Sequence, residues 1–198
     1  RSIVKGPAMD PSQARKAISN GIEIVYDLCR NGTDIIITGE MGIGNTTTAA
    51  AIASLILDIP AEITTGRGAG LDSSGMSRKI AAIHRAIKLN KPDPTDPIDV
   101  LSKLGGFDIA GMTGLFLGGA ECGIPIVIDG VISAVSACLA EMISPGCRDF
   151  MLPSHVSNEP SARLLLEKLG LKAPINAGFH LGEGTGAIML LPLLDGAL

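Results

Sequence analysis

Tryptophan is absent from this 198-residue chain, tyrosine occurs once and phenylalanine four times. Proteins that hold single strands stack bases on aromatic side chains, and there is little here to build such a platform. Basic residues are also in short supply. Sixteen Lys and Arg against twenty Asp and Glu leave a net charge of −4, so no nucleic-acid footprint is expected. No cysteine pair has CxxC spacing. Cys29, Cys122, Cys138 and Cys147 lie far apart among apolar or small neighbours, which favours buried reduced thiols over a disulfide framework and suits a cytoplasmic protein. The three histidines are scattered, so no metal cluster is expected. A long apolar run is missing too. The uncharged stretch from Met41 to Leu57 opens with small and polar residues, and a membrane span needs about 20 apolar ones. Arg1-Ser2-Ile3-Val4 leads into no apolar segment, so a signal peptide is not expected. The lack of an initiator Met points to processing, to truncation or to a start outside this sequence.

What is present is aliphatic. Apolar residues make up 46% and charged residues 18%, with 25 Gly and 12 Pro. The length suits one domain with a sizeable core. Asp10-Pro11 reads as a helix start, and the helix is expected to reach about Arg30 with Ala14, Ile18, Ile22 and Val25 inward. Asp34–Thr38 reads as a short buried strand, followed by a glycine-bearing loop and a helix over Thr46–Leu57. The pattern is expected to repeat with a strand at Ala61–Thr65, a second glycine loop, and a helix carrying Met76, Ile80, Ile83 and Ile87 on one face. Three alternating prolines make Lys91–Pro97 a loop. Helices are expected at Ile98–Leu104, Asp108–Ala120, Val131–Met142 and Pro160–Leu169. Strands are expected at Ile124–Ile128 and Phe150–Leu152, and a last apolar helix at Ile188–Leu194. Alternating elements imply an α/β fold with a mainly parallel sheet and helices on both faces. Ligands of such sheets sit beyond the carboxyl ends of the strands, so the loops after Thr38, Thr65, Ile128 and Leu152 should share one edge.

Four loops carry residues of chemical interest. Gly39-Glu40-Met41-Gly42-Ile43-Gly44-Asn45 precedes a helix whose free N–H groups suit an anion. It has no Walker lysine and no dinucleotide fingerprint, so it reads either as a tight turn or as a ligand loop. Glu40 favours the second reading. Gly66-Arg67-Gly68-Ala69-Gly70 is a similar loop, with Lys79 on the next helix either solvated or turned toward a phosphate. Ser154-His155-Val156-Ser157 follows a strand without a GxSxG elbow, which points to hydroxyl donors rather than a nucleophile. His155 is as readily a structural residue, and His84 and His180 are given no role. In Leu181-Gly182-Glu183-Gly184-Thr185-Gly186-Ala187 three glycines surround one carboxylate. An acid favoured by a helix dipole explains Glu183 but not the glycines.

Together these four segments, with Leu71-Asp72 extending the second and Asn158-Glu159-Pro160 the third, resemble the nicotinate-nucleotide–dimethylbenzimidazole phosphoribosyltransferase family over essentially the whole chain. The likeness is to the C-terminal portion of longer proteins. It implies a Rossmann-like domain over residues 1–198, comparable to the large catalytic domain and C-terminal helix, without the N-terminal region that helps form the aromatic-base pocket. It implies transfer of phosphoribose from nicotinate mononucleotide to dimethylbenzimidazole, yielding α-ribazole 5′-phosphate and nicotinate for cobalamin synthesis. It further implies a cytoplasmic homodimer with no metal and no cofactor. Carried over by motif, Glu183 is the general base, and Glu40, Gly42, Gly68 and Lys79 belong to the substrate site. Gly44, Asn45, Thr46 and Ser157 share those motifs. Two alternatives stay open: a relative that uses adenine, another benzimidazole or a phenol as acceptor, and a non-catalytic phosphoribosyl-ligand-binding fragment or subunit. Retention of both Glu40 and Glu183 favours the enzyme.

Overall fold

The sheet is short, and its side chains alternate between two apolar clusters. In the computed structural model, which describes residues 1–68, 70–180 and 182–197, three strands run parallel: β1 (Ile36–Ile37), β2 (Ile126–Ile128) and β3 (Met151–Pro153). Ala69 and Leu181 of the glycine motifs, and Leu198, lie outside the described residues. β2 is central, with Ile36 opposite Ile126 and Val127 opposite Leu152. Ile36, Ile126, Ile128 and Met151 enter the main core, whereas Ile35, Ile37, Val127 and Leu152 face a smaller cluster. The period-two pleat explains the division.

The main core is built by helices α1 (Pro11–Arg30), α2 (Thr46–Leu57), α4 (Ser73–Asn90), α5 (Pro97–Leu104), α6 (Phe107–Cys122), α7 (Val131–Ile143) and α8 (Ala162–Leu169), with the single turn α3 (Ala61–Thr64) beside them. The smaller cluster is closed by α9 (Thr185–Ile188) and α10 (Leu191–Asp195) through Ala187, Leu190 and Leu194. The α/β fold with helices on both faces is therefore as the sequence implies. α1 starts at Pro11, and Gln13 Oε1 accepts the Asp10 N–H at 3.0 Å. α1 and α6 meet along glycines. A Cβ at Gly21 would lie 2.0 Å from the Gly111 carbonyl oxygen, and one at Gly114 would lie 2.0 Å from that of Ile18.

Two expectations need correction. Ala61–Thr65 is not a strand. Pro60, with φ −53°, caps a helical turn in which its carbonyl accepts the Ile63 N–H at 2.9 Å, and the Thr64 hydroxyl donates to the Ala50 carbonyl of α2. The proline start outweighs the β-branched run that follows it. The last apolar segment is two short helices, α9 and α10, rather than one over Ile188–Leu194. Pro192 stands in the first turn of α10, where its missing N–H removes a bond that a continuous helix would need.

Among the described residues, no helix is long and apolar enough to cross a membrane. Cys138 and Cys147 are buried, and burial pushes both thiols up to about 12. Cys29 and Cys122 are half-buried and unbridged.

Candidate active site

The carboxyl ends of the strands open into a cleft of about 210 Å³. Its walls come from the loops after β1, β2 and β3, from Gly68, and from His180 and Gly182. Thr65 ends a helical turn and not a strand, yet the glycine loop that follows still reaches the same edge. Thr38 helps fasten that edge. Its hydroxyl lies 2.7 Å from both the Val127 carbonyl oxygen and the Ser133 hydroxyl, which joins β1, β2 and the start of α7.

Glu40, Gly42, Thr46, Gly68 and Ser157 all line the cleft. Glu40 accepts the N–H of Gly42 through Oε2, and Gly42 takes φ +74° to make that turn, a conformation glycine enters without steric cost. Lys79 is only 7% exposed, so it is no solvated surface lysine. Its ammonium donates to the Thr46 hydroxyl at 3.0 Å and to the Gly66 carbonyl at 2.9 Å. Burial pulls its pKa below the ordinary lysine value, and Glu159, which also lines the cleft, pulls part of the way back. An ammonium has three donors, and Lys79 commits two to the wall. The structure thus places a desolvated cation beside a helix N-terminus and a glycine loop, an arrangement suited to a phosphate.

Glu183 lies beside the cleft, next to the lining residue Gly182, and is exposed. Its N–H donates to the Glu40 carbonyl at 2.9 Å, so the two acidic loops are tied together. Its φ of +64° is in the left-handed region, and such strain in a residue that is neither Gly nor Asn clusters at functional sites. Gly44 and Asn45 are not brought to the cleft lining. Gly44 is exposed, and Asn45 is buried with its side-chain NH₂ donating to Asp108 at 2.7 Å. Ser154 is structural. Its hydroxyl donates to the Ile128 carbonyl at 2.6 Å and lies 2.9 Å from His155 Nδ1. Among the described residues no group of three or more His, Cys, Asp or Glu is placed to hold a metal.

Asp129, Ser133, Glu159 and His180 also line the cleft and went unrecognised in the sequence. Asp129 had a usable signal: it directly follows the clearest strand, at the edge where ligands are expected. His180 had none, because its segment has no regular structure to predict.

A desolvated cation, two acidic loops joined through their backbones, and helix N-termini at the carboxyl edge of a parallel sheet form a site of the kind that takes a nucleotide or sugar phosphate. The chain belongs to the phosphoribosyltransferase family, whose profile matches residues 1–198. It is 49% identical to the nicotinate-nucleotide–dimethylbenzimidazole phosphoribosyltransferase of Acetivibrio thermocellus and 47% identical to that of Clostridium acetobutylicum, covering all of this chain and 56% of each relative. The crystal structure of CobT from Thermus thermophilus superimposes with a TM-score of 0.92 at 39% identity, over 98% of this chain and 58% of that one. The chain thus spans a little over half the length of the curated relatives it matches.

Proposed function

We propose that this chain provides the phosphoribosyl-transfer site of a nicotinate-nucleotide–dimethylbenzimidazole phosphoribosyltransferase. The observation that carries the reading is buried Lys79, set behind the cleft wall and bonded to the lining residue Thr46 and to Gly66, at the cleft that Glu40 lines and the Glu183 loop borders. The mononucleotide phosphate takes Lys79, the Thr46 and Ser157 hydroxyls and the N–H groups that open α2. Gly42 and Gly68 let the substrate approach the backbone. Gly44 and Asn45 shape the loop from outside the lining, the latter through Asp108.

The chemistry needs one proton acceptor. Nicotinate mononucleotide carries a pyridinium, so its nicotinate leaves with the ring nitrogen neutral and without a general acid. A benzimidazole nitrogen attacks C1′ on the face opposite the leaving group, which converts the β linkage to α. The N–H on the other ring nitrogen becomes acidic as positive charge develops, and the Glu183 carboxylate removes that proton. A base of this kind contributes about 10²–10⁴-fold, and holding the two substrates in line contributes as much or more. Glu40 stabilises the cationic ribosyl centre. The enzyme works in the cytoplasm as a homodimer. Ile24 and Phe107, both more than half exposed on the outer face of α1 and α6, suit burial against a second copy.

The test is to supply the chain with nicotinate mononucleotide and a series of bases, alone and with the segment the longer relatives carry in addition, and to follow nicotinate release. Release that depends on base and matches α-linked product mole for mole is expected. No release with any base in either arrangement contradicts the reading. The same series reads acceptor choice among benzimidazoles, adenine and phenols.

A further inference from the structure

The loop that carries Glu183 is held by a carboxylate from another part of the chain. Asp129 directly follows β2, is 5% exposed and borders the cleft. Its Oδ2 accepts the Gly184 N–H at 3.2 Å and its Oδ1 accepts the Ala187 N–H at 2.9 Å. Gly184 is the next residue after Glu183, and Ala187 lies in the first turn of α9. One side chain therefore takes up two N–H groups that a helix start leaves without intrahelical partners. An ionised carboxylate accepts with both oxygens, whereas an asparagine presents one acceptor and sets an NH₂ against the second N–H.

The left-handed backbone of Glu183 needs such a hold. A non-glycine residue with φ +64° persists only where its surroundings over-determine it. One restraint is the bond from the Glu183 N–H to the Glu40 carbonyl. A second is the bond that closes the turn itself, from the Thr185 N–H to the Gly182 carbonyl at 3.1 Å, and Asp129 supplies a third from outside the loop. His155 backs the same element. It is 2% exposed, and a Cβ on Gly186 would meet its ring at 2.2 Å. Burial raises the Asp129 carboxyl above its usual range, while the two N–H groups and His155 oppose the rise.

We propose that Asp129 is the positioning residue for Glu183: by bridging Gly184 and Ala187 it fixes the turn on which the Glu183 carboxylate stands beside the cleft. The kinetic half of this proposal rests on Glu183 being the base, and the backbone half does not. In the Asp129→Asn variant, amide deuterium exchange at Gly184 and Ala187 should rise by roughly tenfold or more, with α1 and α6 amides unchanged. Turnover should fall by roughly tenfold or more with the KM for mononucleotide within about twofold. The Asp129→Asn/Glu183→Gln double variant should be no slower than Glu183→Gln alone, because a residue that acts through another adds nothing once that other is gone. Unchanged exchange at both amides overturns the proposal. So does a double variant slower than Glu183→Gln by the full Asp129→Asn factor. If Glu183→Gln leaves turnover intact, the base assignment falls, and exchange alone then decides the positioning. Should Asp129→Asn fail to fold, the unaltered chain carries the test. The amide proton shifts of Gly184 and Ala187 should follow protonation of the Asp129 carboxyl, and shifts indifferent to it overturn the proposal.

Discussion

Two glycine-rich regions of this molecule use the same residue for opposite ends. Along the α1–α6 seam, Gly21 and Gly114 give up a side chain so that two helices close onto each other, and an added Cβ would strike a carbonyl oxygen at 2.0 Å. In the loop after β1, Gly42 on the cleft and Gly44 outside its lining have positive φ and open space where a Cβ would go. The first pair removes volume for packing. The second pair supplies backbone conformation and leaves room beside the chain. Glycine content alone therefore marks neither a core nor a site. Position relative to the strand ends decides which it is, because the sheet delivers its loops to one edge while helix–helix seams lie to the side.

Substitutions in the two regions should separate catalysis from stability. Glu183→Gln keeps the shape and loses the base, so turnover should fall by about 10²–10⁴-fold with the mononucleotide KM little changed; near-normal kcat in an active assembly removes the assignment. Gly114→Val overpacks the seam against Ile18 and should cost about 3 kcal/mol in urea unfolding, with activity per folded molecule retained. Lost activity without lost stability would erase the distinction between the regions. Gly42→Ala meets no neighbour but holds φ +74°, and should cost about 1–2 kcal/mol while weakening mononucleotide binding. The smallest effect concerns pH. Burial lowers the His155 pKa below 6.5, so the unfolded chain binds this proton more readily than the folded one. Its contribution is intact above pH 6.5 and is lost as pH falls through the lowered folded value. His155→Gln should therefore flatten the acid-side decline in stability, read from urea midpoints as pH falls below about 6.5. An unchanged slope would show that His155 does not titrate differently in the two states.

The sequence made the long helices legible and one helical turn illegible, for physical reasons. α1 carries its start in Asp10-Pro11 and its register in Ala14, Ile18 and Val25, and the fold follows both. Ala61–Thr65 misleads because Ile63-Thr64-Thr65 has strand-like branching, whereas Pro60 sets a helical turn before that run begins. In the site, Glu40, Gly42, Thr46, Gly68 and Ser157 were readable because each sits in a glycine- or hydroxyl-bearing loop at an element boundary. Lys79 was readable only as an alternative to a surface charge, since a helical lysine shows its burial only in three dimensions. Asp129 was passed over as a turn residue, because its partners Gly184 and Ala187 lie 55 and 58 positions away.

The central claim is that the carboxyl edge of the sheet, and not the apolar α1–α6 face, receives the phosphoribosyl donor. Titrating the chain with nicotinate mononucleotide and following its backbone amide resonances tests this directly. The account predicts saturable shifts at Thr46, Gly68 and Ser157, none along Gly111 and Leu115 of α6, and binding weakened by roughly tenfold or more in Lys79→Ala, as the loss of one charged hydrogen bond implies. Shifts centred on α1 and α6, or binding indifferent to Lys79→Ala, would contradict it.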